Sequence, residues 1–255
     1  MPDSVIKIRG LKKAFDERVI LNGIDLDLLK GENLVVLGRS GTGKSVLIKC
    51  IVGLITPDEG LVEVLGENVP DLGKEDLNIL RRKVGFSFQM SALYDSMTIR
   101  ENLEFPLKRN LNITNTGELN DRVMAHLEDV GLAHTVNQFP AELSGGMKKR
   151  IGIARTLILQ PQIMLYDEPT SGLDPITSQE INNLMLEVQE KYGTSSIIIT
   201  HDITCAKSTA DRLVFLHEGD VQYNGPFSGL YDTSNALLDT FMQYFNLKEN
   251  ERSRN

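Results

Sequence analysis

Hydrophobic positions change period repeatedly along this chain, and each change predicts an element. Val5-Ile6-Lys7-Ile8 and Ile24-Asp25-Leu26-Asp27-Leu28 alternate apolar with polar residues. That period belongs to strands with one wet face, and the two runs are expected to pair antiparallel. Residues 34–37 are wholly apolar, the pattern of a strand covered on both faces, and they run straight into a glycine-rich turn. A helix is expected from Lys44. Pro57-Asp58-Glu59-Gly60 is turn chemistry ahead of a strand at 61–65, and a helix near 76–82 leads to a strand at 84–88.

Between about residues 91 and 140 the texture changes. Helical spacing governs 99–109 and 121–130, separated by the polar run Asn112-Ile113-Thr114-Asn115-Thr116-Gly117. This predicts a helical subdomain over about 91–160, inserted in an α/β core. Beyond Leu143 apolar strands at 163–166, 195–200 and 213–216 alternate with helices, which predicts a mostly parallel sheet. His217-Glu218-Gly219-Asp220 reads as a hairpin turn. Ala236, Leu237, Leu238, Phe241, Met242 and Phe245 recur at helical spacing, a stripe that fits either docking on its own domain or a partner-binding helix. One domain over 1–246 and a charged tail at 247–255 are expected.

Composition narrows the class. Of 255 residues, 41% are hydrophobic and 24% charged, an ordinary globular balance that excludes wholesale disorder. A formal net charge of -8 argues against nucleic acid as the main ligand, which requires a basic face. Cys50 and Cys205 show no CxxC spacing and read as buried free thiols in a reducing compartment. No stretch approaches the roughly 18 to 20 apolar residues of a membrane span. The first residues, MPDSVIKIRG, lack an export signal, so a cytoplasmic location is expected.

The chemistry begins at Gly38-Arg39-Ser40-Gly41-Thr42-Gly43-Lys44-Ser45, which fits GxxxxGK[ST] between a buried strand and a helix start. Glycines let backbone N–H groups turn onto a β-phosphate, and the helix N-terminus adds a favourable dipole. Lys44 is expected to bridge β- and γ-phosphates, and Ser45 to offer its hydroxyl to Mg²⁺. Ile163-Met164-Leu165-Tyr166-Asp167-Glu168 is an apolar strand ending in two acids. In a parallel sheet these carboxylates reach the edge that carries the phosphate loop, Asp167 suited to the Mg²⁺ shell and Glu168 to activating a water at the γ-phosphate. Ser144 in Leu143-Ser144-Gly145-Gly146-Met147 suits a helix N-cap, and the helix end behind it either binds a second phosphate or merely caps.

GRSGTGKS, LSGGM and IMLYDEP, in this order, resemble the ABC ATPase family over nearly the whole chain. The resemblance implies a P-loop NTPase of ABC type, with a mostly parallel core sheet, an antiparallel β subdomain and a helical subdomain. It implies ATP and Mg²⁺ as ligands and a head-to-tail homodimer, in which Ser144, Gly145 and Gly146 of one subunit close over the ATP held by Lys44 of the other. By the same resemblance Phe15 stacks on adenine, Val46 joins the nucleotide site and Gln89 senses Mg²⁺ and the membrane partner. Asp174 in Ser171-Gly172-Leu173-Asp174 crosses the dimer interface, and His201 contacts the γ-phosphate. Taken alone, Phe15 reads equally as core and His201 as structural. Met147 departs from the glutamine common at its position, and a thioether cannot repeat that amide's hydrogen bonds.

Phe88-Gln89-Met90-Ser91-Ala92-Leu93-Tyr94-Asp95-Ser96-Met97, Glu101-Asn102-Leu103-Glu104-Phe105-Pro106-Leu107, LSGGM and Leu173-Asp174-Pro175-Ile176-Thr177 together resemble the Mla/Mce branch. That implies phospholipid transport in a bacterial envelope, an integral membrane permease, an Mce-domain lipid-binding partner and a peripheral place on the cytoplasmic face of the inner membrane. The alternatives are a transporter for another substrate and an ATPase that regulates a membrane partner without transport. Met90, Leu93, Tyr94 and Met97 fit either a groove for a permease helix or the core of the insertion. DNA-repair and chromosome clamps share this head but split around a coiled coil, and no heptads lie between Gln89 and Leu143. Translation-factor ATPases carry two fused heads, and this chain has one.

Overall fold

The computed structural model describes residues 3–231, together with Leu237, Leu238, Thr240, Phe241 and Gln243. The alternating runs at the start of the chain become two long strands, β1 (Ser4–Phe15) and β2 (Arg18–Leu29), paired antiparallel as expected. β4 (Glu59–Val64) joins the other edge of β1, and the short β5 (Glu67–Asn68) pairs with β4, giving a four-stranded sheet in the order β2-β1-β4-β5.

The second sheet is built on β3 (Asn33–Leu37), β6 (Val84–Ser87), β7 (Ile163–Asp167), β8 (Ser195–Thr200), β9 (Arg212–His217) and β10 (Asp220–Gly225). Its order is β10-β9-β3-β8-β7-β6, parallel throughout except for β10, which returns antiparallel through the 217–220 turn. The apolar runs are buried because this sheet is covered on both faces. Val35, Leu37, Met164, Tyr166, Ile198 and Phe215 enter one core, which also holds the helical residues Leu103, Val123 and Ile151. Their alternates Leu34, Val36, Ile163, Leu165, Ile197 and Val214 enter the other, with Ile6, Leu26 and Leu47. A strand of period 2 can feed two cores only if every position is apolar.

Helices connect the strands: α1 (Lys44–Ile51), α2 (Lys74–Lys83), α3 (Ile99–Leu111), α4 (Thr116–Asp129), α5 (Gly145–Leu157), α6 (Pro175–Tyr192) and α7 (Ile203–Thr209). α3 opens on a capping box, with Thr98 accepting from the Glu101 N–H and the Glu101 carboxylate accepting from the Thr98 N–H. α4 starts earlier than its apolar spacing predicts. The Asn115 side chain accepts from the Glu118 N–H, so Thr116 and Gly117 are helical rather than part of a polar separator. The late stripe docks in part on its own core: Leu238 is buried and the Phe241 ring lies 5.0 Å from that of Phe215. Ala236, Met242, Phe245 and the tail expected at 247–255 lie outside the described residues. Among the described residues no helix is long and apolar enough to cross a membrane.

Candidate functional site

The carboxyl ends of β3, β6, β7 and β8 lie along one edge of the sheet, the edge where ligands bind in open α/β sheets. From β3 the chain enters the glycine turn, with the Gly38 N–H donating to Thr200 O at 3.3 Å. Gly43 has a φ of 99°, and a Cβ there would stand 2.8 Å from both Ile20 O and Leu21 Cδ2. Only glycine fits a left-handed turn pressed so closely on β2. Among the described residues no acceptor meets the N–H groups of Gly43, Lys44 and Ser45, which open α1 as free donors. Arg39 and Thr42 complete the turn, the Thr42 hydroxyl donating to Arg39 O at 2.9 Å.

Lys44 is buried, and its Nζ donates to Gly38 O at 2.7 Å and Arg39 O at 2.9 Å. It also stands 3.5 Å from Glu168 Oε1. Burial lowers its pKa, and the nearby Glu168 carboxylate offsets only part of that shift. The Ser45 hydroxyl donates to Asp167 Oδ1 at 3.2 Å. Burial raises the Asp167 pKa, the Ser45 hydrogen bond opposes this, and the charge of Glu168 adds to the rise.

Glu168 follows β7 with a φ of 49°, an uncommon conformation for a residue with a Cβ. Several bonds hold it there. Its N–H donates to Ile199 O at 2.9 Å. Its Oε2 meets the His201 Nδ1 at 2.7 Å and the His201 N–H at 3.3 Å. Gln89 follows β6, its Nε2 donating to the Ser171 hydroxyl at 3.2 Å.

These groups share one cleft of about 380 Å³, lined by Phe15, Ser40, Gly41, Gly43, Lys44, Ser45, Val46, Gln89, Glu168 and His201. Phe15 is half exposed on its rim with the Lys13 Nζ 5.4 Å from its ring centroid, a place unlike that of a core phenylalanine. Arg18 and Ile20 of β2 line the same cleft. No motif flags them; they arrive because the β1–β2 hairpin folds over the glycine turn. The hard oxygens of Ser45 and Asp167, at hydrogen-bond distance from each other, are a donor pair suited to Mg²⁺ completed by phosphate and water.

Ser144, Gly145, Gly146 and Asp174 do not line this cleft. Ser144 caps α5, its hydroxyl accepting from the Met147 N–H at 3.3 Å. Gly146 is buried against α6, where a Cβ would come within 2.4 Å of Thr177 Cγ2. Asp174 caps α6, accepting from the N–H groups of Ile176 and Thr177, each at 3.0 Å, and from the Thr177 hydroxyl. Ser144, Gly146 and Asp174 therefore each have a structural task within their own chain. Met147 packs against the first core, which suits a thioether where an amide is more usual. The Met90-to-Met97 stripe divides: Met90 and Tyr94 are exposed, while Leu93 packs on the core.

A profile of the ABC transporter family matches residues 21–171. The chain is similar to a probable ribonucleotide transport ATP-binding protein of Mycobacterium leprae, 36% identical over 243 residues that make up 95% of this chain and 70% of the relative. It is similar to the methionine import ATP-binding protein of Brucella abortus, 37% identical over 222 residues, covering 87% of this chain but only 60% of that relative's length. A chloroplastic Arabidopsis thaliana protein, trigalactosyldiacylglycerol 3, is 36% identical over 256 residues, covering 94% of this chain and 73% of its own. An ATP-binding cassette solved as a dimer in a post-hydrolysis state with ADP and Pi superposes with a TM-score of 0.80 at 32% identity, over 87% of this chain and 98% of that one. The glycine turn, the paired carboxylates and the two-sheet fold that carries them are thus those of an ATP-binding subunit, and the chain belongs to the ABC transporter family.

Proposed function

We propose that this chain is the ATP-hydrolysing motor of a membrane transporter, working as a homodimer whose closure drives a permease. The observation that carries the reading is the convergence of Lys44, Ser45, Gln89, Glu168 and His201 on one cleft beneath the free N–H donors of α1. In this reading those donors and Lys44 hold the β- and γ-phosphates, and Phe15 takes the adenine. Mg²⁺, held by Ser45 and Asp167, supplies neutralising charge at the phosphates. Glu168 orients the attacking water and accepts its proton. His201 fixes the Glu168 carboxylate and faces the γ-phosphate. Ser144 and Gly146 of the second copy complete the cleft, with Asp174 beside them, as supported by the dimeric arrangement of the similar cassette.

A permease helix has a suitable seat in an apolar hollow of about 300 Å³ lined by Leu54, Phe86, Phe88, Pro106 and Leu159 and flanked by Arg81 and Arg155. This hollow, rather than the Met90-to-Met97 stripe, is the better groove. For the cargo, the relatives lend more support to a substrate other than phospholipid. Methionine importers recur among them, at 37% identity in Brucella abortus and 39% in Mesorhizobium japonicum. Phospholipid cargo and an Mce-domain partner rest on the sequence resemblance alone, and an amino-acid cargo is the better supported reading.

The test is phosphate release from MgATP by the purified chain, alone and with whatever permease copurifies from detergent-solubilised membranes. Turnover that disappears in Lys44→Ala is expected. A chain that neither binds nor cleaves ATP in either form overturns the reading, and an Mce-domain protein in the copurified complex would restore the lipid cargo.

A further inference from the structure

Lys149 does something that no motif assigns to it. From the second turn of α5 its Nζ donates to Gln89 O at 2.6 Å and to Glu168 O at 3.1 Å. One ammonium thus ties the backbone of the loop after β6 to the backbone of the acid after β7. The same helix grips that loop twice more, at the spacing of neighbours on one helical face. At Gly152 a Cβ would stand only 3.1 Å from Ser91 Cβ, so the loop lies directly on the helix. The Arg155 guanidinium donates to Ala92 O at 2.6 Å and lies 4.9 Å from the centroid of the Tyr94 ring. Ser91 and Ala92 are held at φ of 60° and 48°, conformations that persist only under such restraint.

We propose that Lys149 is a positioning residue that locks the Glu168 backbone to the Gln89 loop, so that displacement of the loop is transmitted to the catalytic carboxylate. The inference rests on the ATPase reading above. Glu168 sits in a strained conformation fixed at its N–H by Ile199 and at its carboxylate by His201; its carbonyl accepts from the Ser171 N–H at 3.2 Å and from Lys149, and of these two donors only Lys149 also donates to Gln89 O. Without that hold the carboxylate keeps its chemistry and loses its aim, and small losses of aim cost rate rather than binding. The ammonium is half-buried, and burial lowers its pKa against the opposing charges of Glu168 and Asp167. Removing it leaves no buried charge unpaired, so the fold should survive.

The experiment measures steady-state MgATP hydrolysis and melting temperature for wild type, Lys149→Met, Lys149→Arg, Arg155→Leu and Lys149→Met with Arg155→Leu. Lys149→Met should lower kcat about tenfold with KM for ATP within about twofold, at an unchanged melting temperature. Lys149→Arg, which can again donate to two carbonyls, should recover most of the rate. Arg155→Leu frees the far end of the loop and should slow wild type but add little to Lys149→Met, because the direct link is already cut and only the Gln89–Ser171 contact is left. Wild-type kcat in Lys149→Met, a matching rise in KM, failure of arginine to rescue, or additive losses would each overturn the proposal. If wild type itself shows no turnover, the ATPase reading fails instead, so the two failures are distinguishable.

Discussion

The Glu168 carboxylate is held from one side by a single residue: Oε2 meets both the His201 Nδ1 at 2.7 Å and the His201 N–H at 3.3 Å. His201 can reach it because β7 and β8 are parallel neighbours in register, Asp167 opposite Ile199, so that both residues leave the same sheet edge. His201→Ala should therefore lower kcat about a hundredfold while nucleotide affinity stays within a few-fold, and Glu168→Gln should lower kcat further still. Phosphate release in a single turnover, read beside fluorescent-nucleotide binding, separates the two quantities. Full turnover in His201→Ala would remove the histidine from the site.

Two glycines with positive φ give a controlled test of the turn. At Gly43 a Cβ would strike Ile20 O and Leu21 Cδ2, each at 2.8 Å, whereas at Gly10 no atom lies within 4 Å. Gly10→Ala should cost about 1 kcal/mol, the price of a left-handed alanine alone. Gly43→Ala should cost at least about 2 kcal/mol and abolish nucleotide binding, since backbone cannot yield as a side chain does. Urea midpoints of the two variants, compared with wild type, decide it.

Much of this was legible in the sequence because local pattern and tertiary place agree. β3, β7 and β8 carry apolar runs and are buried at every position, and the motifs sit on their ends. What was not legible depends on partners distant in sequence. The α4 start was hidden because Asn115, Thr116 and Gly117 look like a loop until the Asn115 cap is seen. Arg18 and Ile20 reach the cleft only through the fold of a hairpin over the glycine turn. Asn102 looks like an ordinary helix residue. In the structure it is buried, donating to the carbonyls of Tyr94, Met97 and Thr98 and accepting from the Tyr94 N–H, which fixes the approach to α3.

Asp129 of α4 joins the helical subdomain to the end of α6, accepting from Lys191 and from the Tyr192 hydroxyl, with His126 stacked 6.0 Å from the Tyr192 ring. Burial alone would raise its pKa, but the two donors outweigh burial and hold the carboxyl below the ordinary aspartate value of 3.8. A folded-state pKa below the unfolded one means that the stabilisation is complete above the unfolded value and disappears as pH falls through the folded one. Asp129→Asn should therefore cost about 1 kcal/mol at pH 7, with the gap to wild type closing below about pH 4. Denaturation curves at pH 7 and at about pH 2 read this directly, and a gap that widens in acid would contradict it.

The dimer makes the sharpest prediction, because Ser144 and the Lys44 cleft are on different parts of one chain. If each cleft is closed by the Ser144 turn of the other copy, a Lys44→Ala chain mixed with a Ser144→Arg chain forms heterodimers with one undamaged site, built from the intact halves of both. Placing both substitutions on one chain and mixing it with wild type leaves heterodimers with none. A site contained within one chain predicts the reverse ranking for the heterodimers. With random pairing about half the dimers are mixed, so the first mixture should recover up to about a quarter of wild-type turnover. Losing the Ser144 cap costs about 1 kcal/mol, so melting temperatures must be matched before rates are compared. Heterodimers isolated through two different affinity tags give the clean measurement, and activity confined to the pairing of the doubly substituted chain with wild type would show that each cleft is closed by its own subunit.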